Sequence, residues 1–242
     1  MKTKNIALIF AGGTGERMNS KSVPKQFLKV YGKPIIIYTL EQFEQNKKID
    51  AIIVASLGQW IDYLNQIIKR YDITKVVSVI EGGETGQLSI YKTLCKAKEL
   101  YDDDAIVLVH DGVRPLIDQK TISNCIVSTQ KYGNGITTTK ATETVIVSTK
   151  DLKSIDEIVQ RSRCKLARAP QAFKLKDLYG AHEKALAIEK TDSIDSATLM
   201  AEQGHTLYTV PGPVENIKIT TPIDFYMFRG ILDAKENQQV FS

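Results

Sequence analysis

Glycines and cations cluster near the start of the chain in a pattern that suits phosphate binding. Residues 9–18 have the sequence IFAGGTGERM, and Lys25 follows within VPKQFL at 23–28. The three glycines lack side chains and permit positive φ, so successive backbone N–H groups can turn inward around a phosphate chain. Arg17 and Lys25 add positive charge. The apolar run at 6–10 predicts a buried strand, and the end of such a strand is where α/β sheets bind ligands.

Two familiar glycine loops do not fit this segment. A dinucleotide fingerprint would require a glycine where Met18 stands, and a P-loop would require Gly-Lys-Ser/Thr where Glu16 and Arg17 stand. The missing third glycine counts against a nicotinamide-dependent dehydrogenase. A glycine-rich surface turn stays open as a structural alternative.

Composition indicates an ordinary globular chain. Its 242 residues are 43% hydrophobic with a net charge of +4, which predicts one domain over residues 1–242. No concentrated basic tail favours nucleic acid, and no membrane span or signal-peptide pattern is present, so we expect a cytoplasmic protein without membrane or nucleic-acid partners. The three cysteines are widely spaced, which predicts free thiols rather than disulfides or a zinc site.

Alternating apolar runs and amphipathic stretches predict an α/β fold with a doubly wound, mostly parallel sheet. Strands are expected at 6–10, 51–55, 76–80, 105–109, 135–139 and 206–210. Helices are expected at 34–46, 58–71, 87–100, 118–132, 175–188, 194–203 and 222–236. Pro34 is expected in the first turn of its helix, where the missing N–H is tolerated.

The pattern changes beyond residue 140. The segments TVIV at 144–147 and EIV at 157–159 flank a polar turn at 148–153, as in a β-hairpin. We therefore expect an arm at about 140–165 that protrudes from the sheet.

Four further segments carry polar groups that suit a nucleotide or phosphate site: HDGVRP at 110–115, GGETGQLS at 82–89, RAPQAF at 168–173 and ENIKIT at 215–220. Asp111 follows a predicted strand, where its carboxylate can bind a metal or a substrate hydroxyl. Ser89 lies after a glycine turn that can admit a base.

Together with the opening segment, these motifs resemble the methylerythritol-phosphate cytidylyltransferase family and its relatives that act on ribitol phosphate and other polyol phosphates. The resemblance runs from residue 5 to about 232. It implies a Rossmann-like nucleotidyltransferase that joins CTP to a phosphate monoester and releases pyrophosphate. Such chemistry requires cations more than a general base, because the attacking phosphate is largely ionised near neutral pH.

The resemblance also implies roles for individual residues. Those that would hold the CTP phosphates with Mg²⁺ are Ala11, Gly12, Gly13, Gly15, Arg17 and Lys25. Those that would address cytosine and ribose are Gly82, Gly83 and Ser89. Asp111 and Lys218 would face the phosphates, the metal and the acceptor. Thr144 and Arg161 occupy arm positions that reach a partner subunit's site and grip the acceptor phosphate, which implies a homodimer.

Two departures from the family pattern bear on the substrate. Gly86 stands where an arginine is usual, and Ala169 where a threonine is usual; Gln87 or Arg168 are candidates to compensate. We expect ribitol 5-phosphate as acceptor, because Gly58-Gln59-Trp60 resembles the polyol-phosphate branch; the product would then feed a capsule or teichoic-acid-like polymer. The alternative acceptor is 2-C-methyl-D-erythritol 4-phosphate, of isoprenoid synthesis.

Several residues also have purely structural interpretations. Trp60 can simply pack its helix, Lys218 can be solvated, and Asp195 can cap a helix as well as lie beside the site. His110 can orient the Asp111 loop or pack behind it. A catalytically dead nucleotide-binding protein is a further alternative, although it would be expected to lose cations that this chain keeps.

Overall fold

The computed structural model describes residues 3–13 and 23–241, with side-chain surroundings up to residue 237. Within these ranges the chain alternates strands and helices. The strands are β1 (Asn5–Ala11), β2 (Lys29–Val30), β3 (Lys33–Pro34), β4 (Ala51–Ser56), β5 (Val76–Glu81), β6 (Ile106–Asp111), β7 (Asn134–Lys140), β8 (Val145–Ser148), β9 (Ile155–Val159), β10 (Lys165–Lys174) and β11 (Thr209–Pro211). The helices are α1 (Ile35–Gln45), α2 (Ile61–Arg70), α3 (Gly86–Leu100), α4 (Gln119–Tyr132), α5 (Leu175–Ala187), α6 (Ser196–Glu202) and α7 (Pro222–Phe241).

Seven of the described strands form the main sheet, in the order β11-β7-β10-β6-β1-β4-β5. Neighbours pair in parallel except around β10, which runs antiparallel to both β6 and β7. β1 lies between β4 and β6, so the chain builds the sheet outward from β1 first in one direction and then in the other. The predicted doubly wound, mostly parallel sheet is therefore confirmed, and its ligand crevice is expected beyond the carboxyl ends of β1 and β6.

Helices cover both faces of the sheet. In β1, Ala7 and Ile9 pack in one core cluster with residues of α1, α2 and α4, whereas Ile6 and Leu8 pack in another with residues of α3, α5 and α6. All four side chains are at most 1% exposed. Burial on both faces explains why the central strands are continuous apolar runs rather than alternating ones.

Capping residues fix several helix boundaries. Thr85, Asp118 and Asp195 each accept a hydrogen bond at the amino end of α3, α4 and α6 respectively. Gly133 ends α4 in the left-handed region, with φ of 87°. Asp195 thus has the capping role that was one of its two interpretations.

The sequence analysis predicted no strand at 165–174, although β10 lies there in the interior of the sheet, between β7 and β6. Pro170 lacks a donor and argues against a central strand, but the pairing of β10 with β7 shifts register between Ala167 and Gln171. This irregularity accommodates the proline. The Ala169–Pro170 peptide bond is cis.

Smaller differences from prediction are local. Pro34 precedes α1 rather than lying in its first turn. The predicted helix at 58–71 begins as a 3₁₀ turn at Gly58–Trp60, and the strand predicted at 206–210 is shorter and shifted, at Thr209–Pro211. The hairpin prediction is confirmed, because β8 and β9 pair antiparallel in a sheet of their own.

Candidate active site

Two cavities meet beyond the carboxyl ends of β1 and β6. The first, here called the glycine cavity, has a volume of about 240 Å³ and is lined by residues that include Gly12, Gly13, Lys25, Gly83 and Ser89. The second, the arginine cavity, has a volume of about 320 Å³ and is lined by residues that include Arg114, Arg168, Gln171 and Asp195. Phe10, Gly86, Asp111 and Lys218 line both. These shared residues define the junction of the cavities.

The wall of the glycine cavity is mainly backbone. Ala11 ends β1, and Gly12 and Gly13 follow it. A β-carbon on Gly12 would lie 3.4 Å from Ser89 Oγ, whereas one on Gly13 would meet nothing within 4 Å. Gly15 and Arg17, predicted to continue this wall, lie outside the described residues.

A second glycine turn, after β5, forms the opposite wall. The Gly83 N–H donates to Ser89 Oγ at 3.0 Å, and Ser89 Oγ donates to the Thr85 carbonyl at 3.0 Å. A β-carbon on Gly82 would lie 2.9 Å from Ser89 Oγ, and one on Gly83 would collide with Leu88. The tight approach explains why glycines stand here, and it gives Ser89 a loop-fixing role in addition to its predicted place beside the cavity.

Lys25 reaches the glycine cavity from a 3₁₀ turn, Lys25–Phe27, which two contacts hold in place. Gln26 Nε2 donates to the Ala11 carbonyl at 2.6 Å. The Phe27 ring stacks on Trp60 with ring centroids 4.8 Å apart, and both rings meet Tyr63 edge-on. Trp60 therefore packs as its structural interpretation predicted, and it packs against the turn that carries Lys25.

Asp111 is at the junction and is only 4% exposed. Its Oδ1 lies 2.6 Å from Lys218 Nζ, and its Oδ2 accepts from Arg114 Nε at 2.9 Å. Burial alone would raise the pKa of Asp111, but attraction to Lys218 and Arg114 outweighs it and lowers that pKa to about 2. Asp111 is thus an anion, and Lys218 is paired rather than merely solvated.

The arginine cavity is built from side chains of several elements. Arg114 Nη1 and Arg168 Nη1 both donate to the Asn216 carbonyl, at 2.9 and 2.8 Å. Gln171 Nε2 donates to Asp195 Oδ2 at 2.8 Å, while the Ala197 N–H donates to Gln171 Oε1 at 2.8 Å. Asp195 therefore caps α6 and also lines this cavity.

Sequence reasoning gave no role to Arg114, Asn216 or Gln171, although each lies in a segment that it selected. The spacing of Arg114 three residues after Asp111 was the available signal. Asn216 and Gln171 gave none, because their contacts join segments that are 24 to 102 residues apart.

His110 packs behind the junction, as one of its two interpretations predicted. Its ring is fully buried, and Nε2 donates to the Arg114 carbonyl at 3.0 Å. Burial lowers the pKa of His110 to about 4, so that the ring is neutral near pH 7. His182 is also buried, and burial lowers its pKa to about 4.

Thr144 and Arg161 do not join the two cavities of their own chain. Both are exposed at the base of the arm formed by β8 and β9, where Arg161 Nη1 donates to the Thr142 carbonyl at 3.1 Å.

The donor set for a metal is sparse. Within residues 3–13 and 23–241, no three His, Cys, Asp or Glu side chains are placed to hold an ion together. Asp111 is the one carboxylate of the described lining that faces both cavities. This fits Mg²⁺, which commonly binds through one or two carboxylates plus substrate phosphates, but not a metal held by protein ligands alone.

No helix in the described part of the chain is long and apolar enough to cross a membrane. The mixture of backbone donors, cations and carboxylates around the two cavities suits binding of phosphorylated small molecules.

Comparison with known proteins agrees with this geometry. The family model described as "IspD: 2-C-methyl-D-erythritol 4-phosphate cytidylyltransferase" matches residues 5–234. A ribitol-5-phosphate cytidylyltransferase of Vibrio parahaemolyticus is 50% identical over 98% of this chain and 99% of its own. One of Streptococcus agalactiae serotype III is 49% identical over 98% of this chain and 99% of its own.

A solved structure has the same fold. The crystal structure of 4-diphosphocytidyl-2C-methyl-D-erythritol synthase from Anaerococcus prevotii superposes with a TM-score of 0.82 at 29% identity, covering 96% of both chains. Since the family model spans nearly the whole chain and full-length relatives are about half identical to it, this chain belongs to the IspD family of cytidylyltransferases.

Proposed function

We propose that this chain joins CTP and ribitol 5-phosphate to give CDP-ribitol and pyrophosphate, in a Mg²⁺-dependent reaction. The observation that carries the proposal is the meeting of two differently lined cavities at one ion pair, Asp111 with Lys218. The names of the two half-identical relatives support the choice of acceptor. The product of this reaction would serve synthesis of a surface polymer. Because the reaction consumes CTP, we place the protein in the cytoplasm.

In this proposal the glycine cavity takes CTP. Its backbone N–H groups and cations suit the triphosphate, because fixed dipoles and positive charge stabilise phosphate oxygens. The residues that we assign to the phosphates are Ala11, Gly12, Gly13, Gly15, Arg17 and Lys25. Those that we assign to cytosine and ribose are Gly82, Gly83 and Ser89.

The chemical step would take place at the junction. An oxygen of the acceptor phosphate attacks the α-phosphorus of CTP, the bond from that phosphorus to the oxygen of the β-phosphate breaks, and pyrophosphate leaves. Lys218 is 39% exposed at its side chain and can transfer its contact from Asp111 to the developing charge. Arg114 keeps Asp111 ionised and oriented meanwhile.

Asp111 would hold Mg²⁺ together with the triphosphate, once Lys218 has moved away from its carboxylate. When bound it would neutralise phosphate charge and align the leaving group.

We propose that the acceptor site is completed by a second copy of the chain, in a homodimer of single nucleotidyltransferase domains. Thr144 and Arg161, exposed at the base of the arm, would reach the partner's cleft. The arm also carries exposed apolar side chains: Ile146 is 50% exposed, Ile155 56% and Ile158 66%. An apolar surface of this kind favours burial against another protein.

A pyrophosphate-release assay tests the proposal. CTP and Mg²⁺ are supplied with ribitol 5-phosphate, 2-C-methyl-D-erythritol 4-phosphate or glycerol 3-phosphate, and kcat/KM is compared. We expect the highest value with ribitol 5-phosphate. Preference for 2-C-methyl-D-erythritol 4-phosphate, the acceptor in the family description, would move the reaction to isoprenoid synthesis. Binding of CTP without turnover of any acceptor would indicate a catalytically dead protein.

A further inference from the structure

Arg168 is half-buried in the arginine cavity without a carboxylate partner among the described residues. Its guanidinium has two contacts in the described part of the chain: Nε donates to Thr139 Oγ1 at 3.3 Å, and Nη1 to the Asn216 carbonyl at 2.8 Å. Both partners are neutral. A guanidinium withdrawn from water without a counter-ion is unfavourable unless a ligand compensates for the lost solvation.

The charged groups near Arg168 do not neutralise its guanidinium. Arg114 donates to the same Asn216 carbonyl, so that two guanidinium groups share one acceptor. Burial and the nearby charge of Arg114 both lower the pKa of Arg168. Asp111 is already paired with Arg114 and Lys218, and Asp195 is held by Gln171 and by the amino end of α6.

Gln87, the other residue that could compensate for Gly86 and Ala169, already has hydrogen-bond partners within the chain. Gln87 Nε2 donates to the Lys190 carbonyl at 2.8 Å, and Gln87 Oε1 accepts from the Ser193 N–H at 2.8 Å. Both ends of this amide therefore fix the segment that precedes α6. Gly86, by contrast, leaves space: a β-carbon there would meet nothing within 4 Å.

We propose that Arg168 binds the phosphate of the acceptor and so determines that a phosphate monoester occupies the arginine cavity. The planar guanidinium suits paired hydrogen bonds to phosphate oxygens, and its place on β10 at the wall of this cavity keeps it away from the lining of the glycine cavity. This inference rests on the proposed function for the identity of the acceptor, but not for the binding of phosphate.

The test compares Arg168→Gln and Arg168→Lys with Arg70→Gln, a control at an exposed arginine that ends α2 and lines neither cavity. Steady-state kinetics give KM for CTP and for ribitol 5-phosphate separately. We expect Arg168→Gln to raise KM for the acceptor by about 10- to 100-fold and to change KM for CTP by less than about 2-fold. Arg168→Lys should lie between, and added guanidinium ion should partly restore Arg168→Gln.

Calorimetric titration with ribitol 5-phosphate and with inorganic phosphate gives a readout that does not depend on turnover. If Arg168→Gln no longer binds ribitol 5-phosphate or inorganic phosphate, the proposal is supported. Failure of the wild-type protein to transfer a cytidylyl group to ribitol 5-phosphate would contradict only the proposed function. An equal rise in KM for both substrates would overturn the inference, since Arg168 would then serve the triphosphate. Unchanged acceptor binding in a folded Arg168→Gln variant would overturn it too. If that variant does not fold, Arg168→Lys decides by the same criteria.

Discussion

The two cavities hold their polar groups in different ways. The glycine cavity is walled by backbone from the loops after β1 and β5, with Lys25 added from a short turn. The arginine cavity is walled by long side chains from four segments, and hydrogen bonds join these segments to one another. Backbone dipoles suit a group common to every nucleoside triphosphate, whereas side chains are free to differ between relatives. We therefore expect substrate choice to depend on the arginine cavity.

The largest effect is expected where the cavities meet. Lys218→Gln removes the cation nearest to the proposed phosphoryl transfer and should lower kcat by about 10²- to 10³-fold, with smaller changes in both KM values. Pyrophosphate release measures this. Lys69→Gln, at an exposed lysine on α2, is the control. A rise in KM at constant kcat would show that Lys218 contributes to binding alone.

Acidification is expected to lower the stability of the fold through two buried histidines, His110 and His182. The pKa values of His110 and His182 are lowered to about 4, below the ordinary value of 6.5, so the unfolded chain takes up protons first as the pH falls. Their contribution to the free energy of unfolding is complete above pH 6.5 and is lost between pH 6.5 and 4, amounting to about 2 kcal/mol each by pH 5. Urea denaturation at pH 7.5, 6 and 5 measures it.

The control for acidification is His182→Gln, which removes one of the two titrating rings and should make the loss of stability shallower. An identical pH dependence in that variant would contradict the assignment. Asp111 does not contribute in this window, because its pKa is lowered from 3.8 to about 2 and its contribution is lost only below pH 3.8.

A single added methyl group should impair binding of CTP in the glycine cavity. Gly83→Ala would force the loop away from Leu88, and we expect KM for CTP to rise about 10-fold with a loss of about 1–3 kcal/mol in stability. Gly86→Ala adds the same group where nothing lies within 4 Å, so it should change KM by less than about 2-fold. Similar effects of the two substitutions would remove steric approach as the reason for Gly83.

The smallest effect is expected from the aromatic support of Lys25. Trp60→Ala removes the stack on Phe27 and should raise KM for CTP about 3-fold with little change for the acceptor. Trp60→Phe should stay close to the wild type. Because Trp60 is the one tryptophan of the chain, its fluorescence also reports on this turn directly, and a response to the acceptor but not to CTP would oppose the assignment.

Much of the glycine cavity was predictable from the sequence, because its strands are continuous apolar runs and its loops follow them directly. The five parallel strands from β1 to β7 that carry long apolar or β-branched runs were all located. The arginine cavity was less accessible. Pro170 argued against a central strand, so β10 was not predicted. The contact between Arg168 and Asn216 joins segments 48 residues apart, and no local sequence pattern indicates it.

The arm leaves the sheet at the end of β7 and returns at the start of β10, and these two strands are neighbours. Lys140 and Lys165, the last and first residues of those strands, are paired directly across the ladder. The arm is therefore an insertion into one hairpin, and the free energy of closing such a loop changes slowly with its length. A change in the length of this segment would therefore leave the pairing of the central sheet in register.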